Sequence, residues 1–450
     1  MRVKNYRKVL LEPIFERLEE RDILSLKCEK SLLIGIQDER ESVEAAQSHL
    51  NELASLADTM GIPAVETMLV RLRKVHPRHL IGSGKLEEII ALSEECGADL
   101  VIFDYNLSPS QQRNLEQDMN LTVIDREEVI LDIFANRAST REAVLQVALA
   151  RMQYSLPRLT RAWTHLSRQR GGASGNRGKG ETQLESDRRM VLSKIASLKK
   201  ELIQVRKNRD TQRKKRRALP VPTLSIVGYT NAGKSSILNM MSGSDVLAED
   251  KLFATLDPTS RRVSLPGGRE IVITDTVGFI RKLPHGLIEA FKSTLEEAVL
   301  SDAIVHVIDV SNPEWRFHRK VTEEVLSELG AGDKPVLLVY NKIDKLEDPE
   351  GFRHFLNRED YPVVLLSAHT GKGRDELEAG LNRILESELP IKTLLIPPDK
   401  WDIVAYIRRN SVVINESYVE DGILLEVVLS EKDQRILKEY IYSKSPQEDK

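Results

Sequence analysis

The 450-residue sequence has only two cysteines, Cys28 and Cys96, too few for a disulfide framework or a cysteine-rich zinc module. It has no uninterrupted apolar run of about 18 residues, so no segment reads as a membrane span. A signal-peptide core is also missing, because Met1–Phe15 mixes Arg2, Lys4, Arg7 and Lys8 with a short apolar patch. These absences exclude a stapled secreted scaffold and an integral membrane protein, and they predict a soluble chain of a reducing compartment, the cytoplasm. What is present is ordinary for a protein with real cores: 41% hydrophobic and 30% charged residues. At about 150 residues per domain, the length predicts roughly three domains.

The net charge of −3 conceals a strong asymmetry. Arg158–Arg217 carries 19 Lys and Arg against 5 Asp and Glu, a net +14 that leaves −17 on the rest of the chain. A solvated helix face paired elsewhere is one reading of this segment. The other is a module for a polyanion, and Trp163 with a glycine-rich stretch inside the basic patch favours nucleic acid.

Four segments follow from the patterning. Residues 1–139 alternate apolar runs (Ser31–Gln37, Met68–Leu72, Leu100–Asp104, Leu121–Asp125) with helical patterns (Val43–Met60, Lys85–Cys96, Pro109–Gln117), which predicts a small α/β domain with a largely parallel sheet. In residues 140–219, Leu145, Leu149, Met152 and Leu156 form one helical seam, and Val191, Ile195, Leu198, Leu202 and Val205 form another. They predict an antiparallel helical hairpin, with a mobile tip at Gly171–Gly180 and a linker over Arg213–Pro222. Residues 220–389 again alternate strand and helix, with strands at Leu224–Gly228, Ile271–Thr274, Ala303–Asp309, Val336–Tyr340 and Val363–Ser367. Residues 390–450 read as a small α+β domain: strand Lys392–Ile396, helix Trp401–Arg409, two strands across Asp421-Gly422, a closing helix Glu431–Tyr442 and a disordered tail, Ser443–Lys450.

The third segment carries the chemistry. Gly228, Tyr229, Thr230, Asn231, Ala232, Gly233, Lys234, Ser235 and Ser236 follow an apolar strand and open a helix, the context a P-loop requires. Its glycines let backbone N–H groups curl around a β-phosphate. Lys234 would reach the β/γ oxygens and the Ser235 hydroxyl would ligate Mg²⁺. Asn341, Lys342 and Asp344 close another apolar strand: the Asp344 carboxylate can accept from guanine N1–H and its exocyclic amine, neither of which adenine offers. Asn341 would brace base and loop, the Lys342 stem would cover the ring, and Ser367-Ala368 would supply an N–H for guanine O6. Asp275 would hold Mg²⁺ at one remove, Gly278 would contact the γ-phosphate, and Thr255 would be the switch threonine closing on Mg²⁺, with Thr259 nearby. The expected ligands are thus GTP and Mg²⁺.

One position breaks the familiar mechanism. Phe279 follows Gly278 where many GTPases have the glutamine that orients the attacking water, so a slow intrinsic rate or help from elsewhere is expected. Asn231, holding a potassium ion near the phosphates, is one candidate; Arg261 or Arg262 acting as a finger in cis is another.

The chain resembles the HflX family of GTPases over nearly its whole length. The resemblance rests on LIGSGKLEEI (Leu80–Ile89), DLVIFDYNLSPSQQRNLE (Asp99–Glu116), Val123–Leu159, GETQLE (Gly180–Glu185) and VGYTNAGKSS, and the family also has a hydrophobic residue after DxxG. It implies a GTPase on the large ribosomal subunit at the intersubunit face, splitting or rescuing ribosomes under stress, with hydrolysis stimulated by ribosomes. The tip GGASGNRGKGE departs from the family's shorter form, and beyond residue 390 the match is weakest. Arg168, Arg170, Arg177 and Lys179 are the expected RNA contacts, on a chain read as a monomer. Gly82–Lys85 (GSGK) reads either as a second phosphate site, which in this family suggests ATP, or as a glycine turn with Ser83 capping a helix. The rival functions are a GTP-liganded assembly or anti-association factor with little catalysis, and an ATP-dependent RNA-remodelling enzyme. His76, His79, His165 and His285 show no metal spacing.

Overall fold

The computed structural model describes residues 28–39, 41–159, 177–216, 221–243, 252–266, 268–281, 297–356, 361–388, 391–429 and 431–442. The chain divides into two compact units: Met1–Gln204 with Lys251–Leu256 and Leu283–Phe291, and Val205–Asp250 with Asp257–Lys282 and Lys292–Lys450.

In the first unit, β1 (Ser31–Asp38), β2 (Ala64–Leu72), β3 (Leu100–Phe103) and β4 (Thr122–Asp125) form a parallel sheet in the order β2-β1-β3-β4. β3 is a continuous apolar run because both of its faces are buried. β2 starts upstream of the expected Met68, since an edge strand can carry the exposed Val65, Glu66 and Thr67. Helix α1 (Val43–Met60) opens with the Ser42 side chain accepting from the Ala45 N–H and closes on Gly61 at φ +90°. Helix α2 (Ser83–Cys96) has Gly82, not Ser83, at its cap; α3 (Pro109–Met119) is opened by a capping box of Ser108 and Gln111. Leu32, Ile34, Val101, Phe103 and Val123 of the sheet pack with Leu86, Ile89 and Leu115 of these helices.

Helix α4 (Arg126–Arg137) leaves β4 without a break, capped by the Asp125 side chain. Both expected seams are helical. In α5 (Arg141–Leu159) Leu145, Leu149 and Met152 are buried; in α6 (Arg177–Arg216) so are Val191, Ile195, Leu198 and Leu202. An ion pair between Arg141 and Glu201 places the start of α5 beside the later part of α6, as an antiparallel hairpin requires. Two expectations are corrected here. Arg177–Gly180 belongs to α6 rather than to a loop, and α6 runs on to Arg216 through the first four residues of the supposed linker, because its Lys and Arg are good helix formers. The rest of the tip, with Arg168 and Arg170, lies outside the described residues, as do Ser443–Lys450.

A buried polar network ties α5 to the sheet. The Arg158 guanidinium donates to Gln112 Oε1 (2.9 Å), the Leu107 carbonyl (3.0 Å) and Asp125 Oδ2 (3.2 Å). The Tyr154 hydroxyl lies between Asp125 Oδ1 (3.1 Å) and Glu128 Oε2 (3.0 Å). Burial, and then the neighbouring Asp125, push Glu128 up to about 7.

In the second unit, β5 (Thr223–Gly228), β6 (Thr259–Ser264), β7 (Glu270–Asp275), β8 (Ala303–Asp309), β9 (Val336–Asn341) and β10 (Val363–Leu365) form a sheet in the order β10-β9-β8-β5-β7-β6. Its pairs are parallel except β6 with β7. Helices α7 (Lys234–Ser242), α8 (Trp315–Glu328) and α9 (Pro349–Leu356) connect these strands, and α10 (Arg374–Glu388) follows the last of them. Leu224, Ile226, Ile273, Val305 and Val307 pack with Ile237, Leu238, Leu381 and Leu385. β10 stops at Leu365, before the expected Ser367, which turns away so that its N–H bonds Lys372.

The last segment of this unit holds β11 (Ile391–Ile396), β12 (Val412–Val419) and β13 (Gly422–Val428), antiparallel in the order β11-β13-β12, with α11 (Trp401–Asn410). The closing helix is shorter than expected. It ends at Ile436, and a 3₁₀ turn over Lys438–Tyr440 then brings Ile441 to a bridge with Leu394. The architecture is therefore the expected α/β one: a small parallel-sheet domain with a helical hairpin, a larger α/β domain, and a small α+β domain.

Candidate functional site

β5 sits between β7 and β8, so the loop after it projects from the middle of the sheet edge. Gly228 adopts φ +152°, and a Cβ there would lie 2.2 Å from the Val307 carbonyl oxygen; no larger residue fits. Asn231 (φ +61°) and Gly233 (φ +94°) curl the loop back into α7. Gly233 caps α7 without a side-chain bond, leaving the first N–H groups of the helix for an anion. Lys234 is buried, and its ammonium donates to the carbonyls of Tyr229 (2.9 Å) and Gly228 (3.2 Å). Burial lowers its pKa to about 8, against the pull of Asp275, so it stays mostly charged at neutral pH. The Ser235 hydroxyl donates to Asp275 Oδ2 at 2.7 Å, bringing two hard oxygen donors together at the end of β7.

The chain after β7 is laced to the phosphate loop. Thr276 Oγ1 donates to the Ile226 carbonyl at 2.7 Å. The Phe279 N–H donates to the Gly228 carbonyl (3.0 Å), and the Thr230 N–H donates to the Phe279 carbonyl (2.7 Å). Gly278 is thereby pressed against the loop: a Cβ there would lie 2.9 Å from Lys234 Nζ and from Thr230 Cα. Phe279 itself is 1% exposed, so its ring belongs to the core and has no surface to offer a water molecule.

Thr255 lies in the Lys251–Leu256 segment, which belongs to the first unit, where the neighbouring Phe253 packs edge-on against Phe134 at 4.6 Å between ring centroids. Thr259 is the first residue of β6, opposite Asp275 in the ladder. Arg261 and Arg262 are exposed on the same strand, and Arg262 pairs with Glu270 of β7 at 3.3 Å. That is a surface role.

At the other end, β9 delivers Asn341, whose Nδ2 donates to the Ala232 carbonyl (2.9 Å) and whose Oδ1 accepts from the Ala368 N–H (3.0 Å). The Ala368 N–H expected for guanine O6 is the one that donates to Asn341 here. Lys342 (φ +66°) sets its ammonium 2.8 Å from Asp309 Oδ2, which directs its stem. The Asp344 carboxylate is exposed and accepts from the Ser367 hydroxyl at 2.5 Å, the main reason its pKa is lowered. One sheet edge therefore carries a helix start with uncapped N–H groups at one end and a carboxylate of lowered pKa at the other.

Sequence reasoning missed Tyr229's partners. Its ring stacks on His318 of α8, and its hydroxyl accepts from the Arg281 N–H. Asp309 was missed as well. His318, Arg281 and Asp309 belong to no linear motif, so only the assembled sheet reveals them.

The remaining candidates have structural partners. His79 pairs with Asp118 at 2.7 Å, Lys85 with Glu88, and Cys28 and Cys96 are free thiols. His165 and His285 lie outside the described residues. Among the described residues no group of three His, Cys, Asp or Glu is placed to hold a metal, and no helix is long and apolar enough to cross a membrane.

A strand edge that can engage phosphates and a guanine together belongs to the P-loop GTPases, enzymes that bind and hydrolyse GTP. Family models described as GTP-binding GTPase N-terminal, GTP-binding GTPase Middle Region and 50S ribosome-binding GTPase match residues 47–135, 137–216 and 223–342. The GTPase HflX of Akkermansia muciniphila is 48% identical over 89% of this chain and 94% of its own length. That of Escherichia coli is 44% identical over 83% and 87%. The chain belongs to the HflX family of GTPases. A solved complex of SsGBP with GDP matches 80% of this chain and 99% of its own, at 25% identity and a TM-score of 0.47.

Proposed function

We propose that this GTPase acts in the cytoplasm on the large ribosomal subunit, dissociating or rescuing stalled ribosomes under stress. The observation that carries this is the net +14 of Arg158–Arg217, a segment that includes the long helix α6, in a chain that is otherwise acidic. The description of the matched family as 50S ribosome-binding supports the same partner. We assign the domains as 1–139, 140–219, 220–389 and 390–450, with RNA contacts at Arg168, Arg170, Arg177 and Lys179.

In this reading Lys234, the Gly228–Ser236 backbone and the Gly278 N–H hold the GTP phosphates, while Asn341, Lys342, Asp344 and Ser367-Ala368 hold the base. Ser235 and Asp275 suit Mg²⁺, with Thr255 as its switch ligand; when bound, the ion offsets phosphate charge. Asn231 holds a potassium ion, and the ribosome supplies the activation that the buried Phe279 cannot.

The test is GTP turnover with and without large subunits, in potassium buffer. Strong stimulation that is lost in Lys234→Ala supports this reading. Replacing the four tip residues with Ala should flatten the salt dependence of subunit binding by about one slope unit per lost phosphate contact. Subunit binding without stimulation would favour the second reading, a GTP-liganded assembly or anti-association factor, which the burial of Phe279 keeps open.

A further inference from the structure

The chain after β7 is tied to the phosphate loop twice. One tie is the backbone exchange between Phe279 and the Gly228–Thr230 segment. The other is made by side chains. The Tyr229 ring lies flat on the His318 ring, with centroids 3.8 Å apart and planes 9° apart. Its hydroxyl accepts from the Arg281 backbone N–H at 2.8 Å. The Arg281 guanidinium then returns to the start of α8, donating to Glu314 Oε2 at 2.8 Å and lying 5.1 Å over the Phe317 ring. One turn of α8 thus grips both the loop residue and the segment beyond Gly278.

We propose that His318 is a positioning residue for GTP hydrolysis: its stack on Tyr229 sets the distance between the Gly278 N–H and the phosphate loop. The spacing it controls is tight, since a single Cβ on Gly278 would lie 2.9 Å from both Lys234 Nζ and Thr230 Cα. Transition-state contacts are steeply sensitive to such spacing, and a displacement of about 1 Å can cost on the order of 10²-fold in rate. Ground-state nucleotide affinity, spread over the whole loop and the base site, depends on it far less.

Burial, followed by the Arg281 charge, holds His318 down to about 4. The imidazole is therefore neutral at working pH, and what it contributes is a flat, uncharged face. A phenyl ring supplies the same face, whereas a methyl group does not.

The experiment uses the full chain: single-turnover GTP hydrolysis with and without large ribosomal subunits, alongside titration with a fluorescent GDP analogue. His318→Ala should slow hydrolysis by about tenfold while GDP affinity changes less than about twofold. His318→Phe should restore hydrolysis to near wild type. Tyr229→Phe keeps the stack and removes only the bond to Arg281; it should slow hydrolysis without changing affinity, and lower the melting temperature because the buried Arg281 N–H loses its acceptor. Two outcomes overturn the proposal: wild-type rates in both His318→Ala and Tyr229→Phe, or equal losses of rate and affinity with no rescue by His318→Phe.

Discussion

The Asn341 side-chain amide donates to the Ala232 carbonyl at 2.9 Å, a bond that spans 109 residues of sequence and joins the end of β9 to the phosphate loop. Gly233 makes that bond possible, because a Cβ there would lie 2.2 Å from Asn341 Nδ2, on a backbone at φ +94°. Gly233→Ala should therefore weaken GDP binding by at least about tenfold, or ~1.4 kcal/mol, in a fluorescence titration. Unaltered affinity would remove the tie from the account.

With Asp344 reading the base, as proposed above, Asp344→Asn should reduce GTP affinity by about 10²-fold or more in competition binding, leaving phosphate contacts intact. The pH response follows from Ser367. The hydroxyl lowers the Asp344 pKa, so the carboxylate stays charged as pH falls past the ordinary value and is lost only below it. Ser367→Ala should move the acid limb of GDP affinity to higher pH. An unmoved limb would mean that another group sets it.

Restoring a glutamine after Gly278 should not restore a catalyst. At 1% exposure, Phe279 occupies core space, so Phe279→Gln buries an amide and should cost about 2 kcal/mol of stability. GTP turnover should not rise. A faster and equally stable variant would show that the side chain can reach the phosphates.

For potassium, Asn231→Gly is a cleaner probe than Asn231→Ala. Asn231 adopts φ +61°, which glycine tolerates and alanine does not, so the glycine variant removes the side chain without straining the loop. The ratio of turnover in potassium to that in sodium should fall to about one if this residue holds the ion; a preserved ratio would assign that role elsewhere.

Glu128 faces Asp125, Tyr154, Gln112 and Arg158, and its pKa is raised to about 7 from 4.5. Glu127 is raised as well, by burial and then by Asp125. A raised carboxyl pKa means that folding takes up a proton, so this contribution to stability is lost as pH rises from about 4.5 to about 7. In thermal melts of the full chain, Glu128→Gln should flatten the decline of melting temperature over that window. An unchanged slope would place the proton on another group.

Much of this molecule was legible because its central strands are buried on both faces: Leu100–Phe103 is an unbroken apolar run, Ala303–Ile308 is one but for the buried His306, and glycine or a polar residue marks where such runs end. The residues proposed to hold the nucleotide stood out for a related reason, since they sit at fixed offsets from those strand ends. What could not be read was set by pairing at a distance. β6 carries the exposed Ser260, Arg261 and Arg262, and is a strand only because β7 lies beside it. The Tyr229–His318 stack joins a loop to a helix far along the chain, and no local pattern encodes it. Arg177–Gly180 looked like loop because of its glycines, yet the long basic helix continues through it.

The place of β5 has a consequence for biosynthesis. Its partners β7 and β8 are encoded after it, and the bond from Asn341 to Ala232 waits for a further stretch of chain. At roughly 5–20 residues per second, the ribosome needs about 5–20 s to make the 109 residues between those two partners. During that interval the phosphate loop of the nascent chain is without the brace that Asn341 gives it in the finished fold.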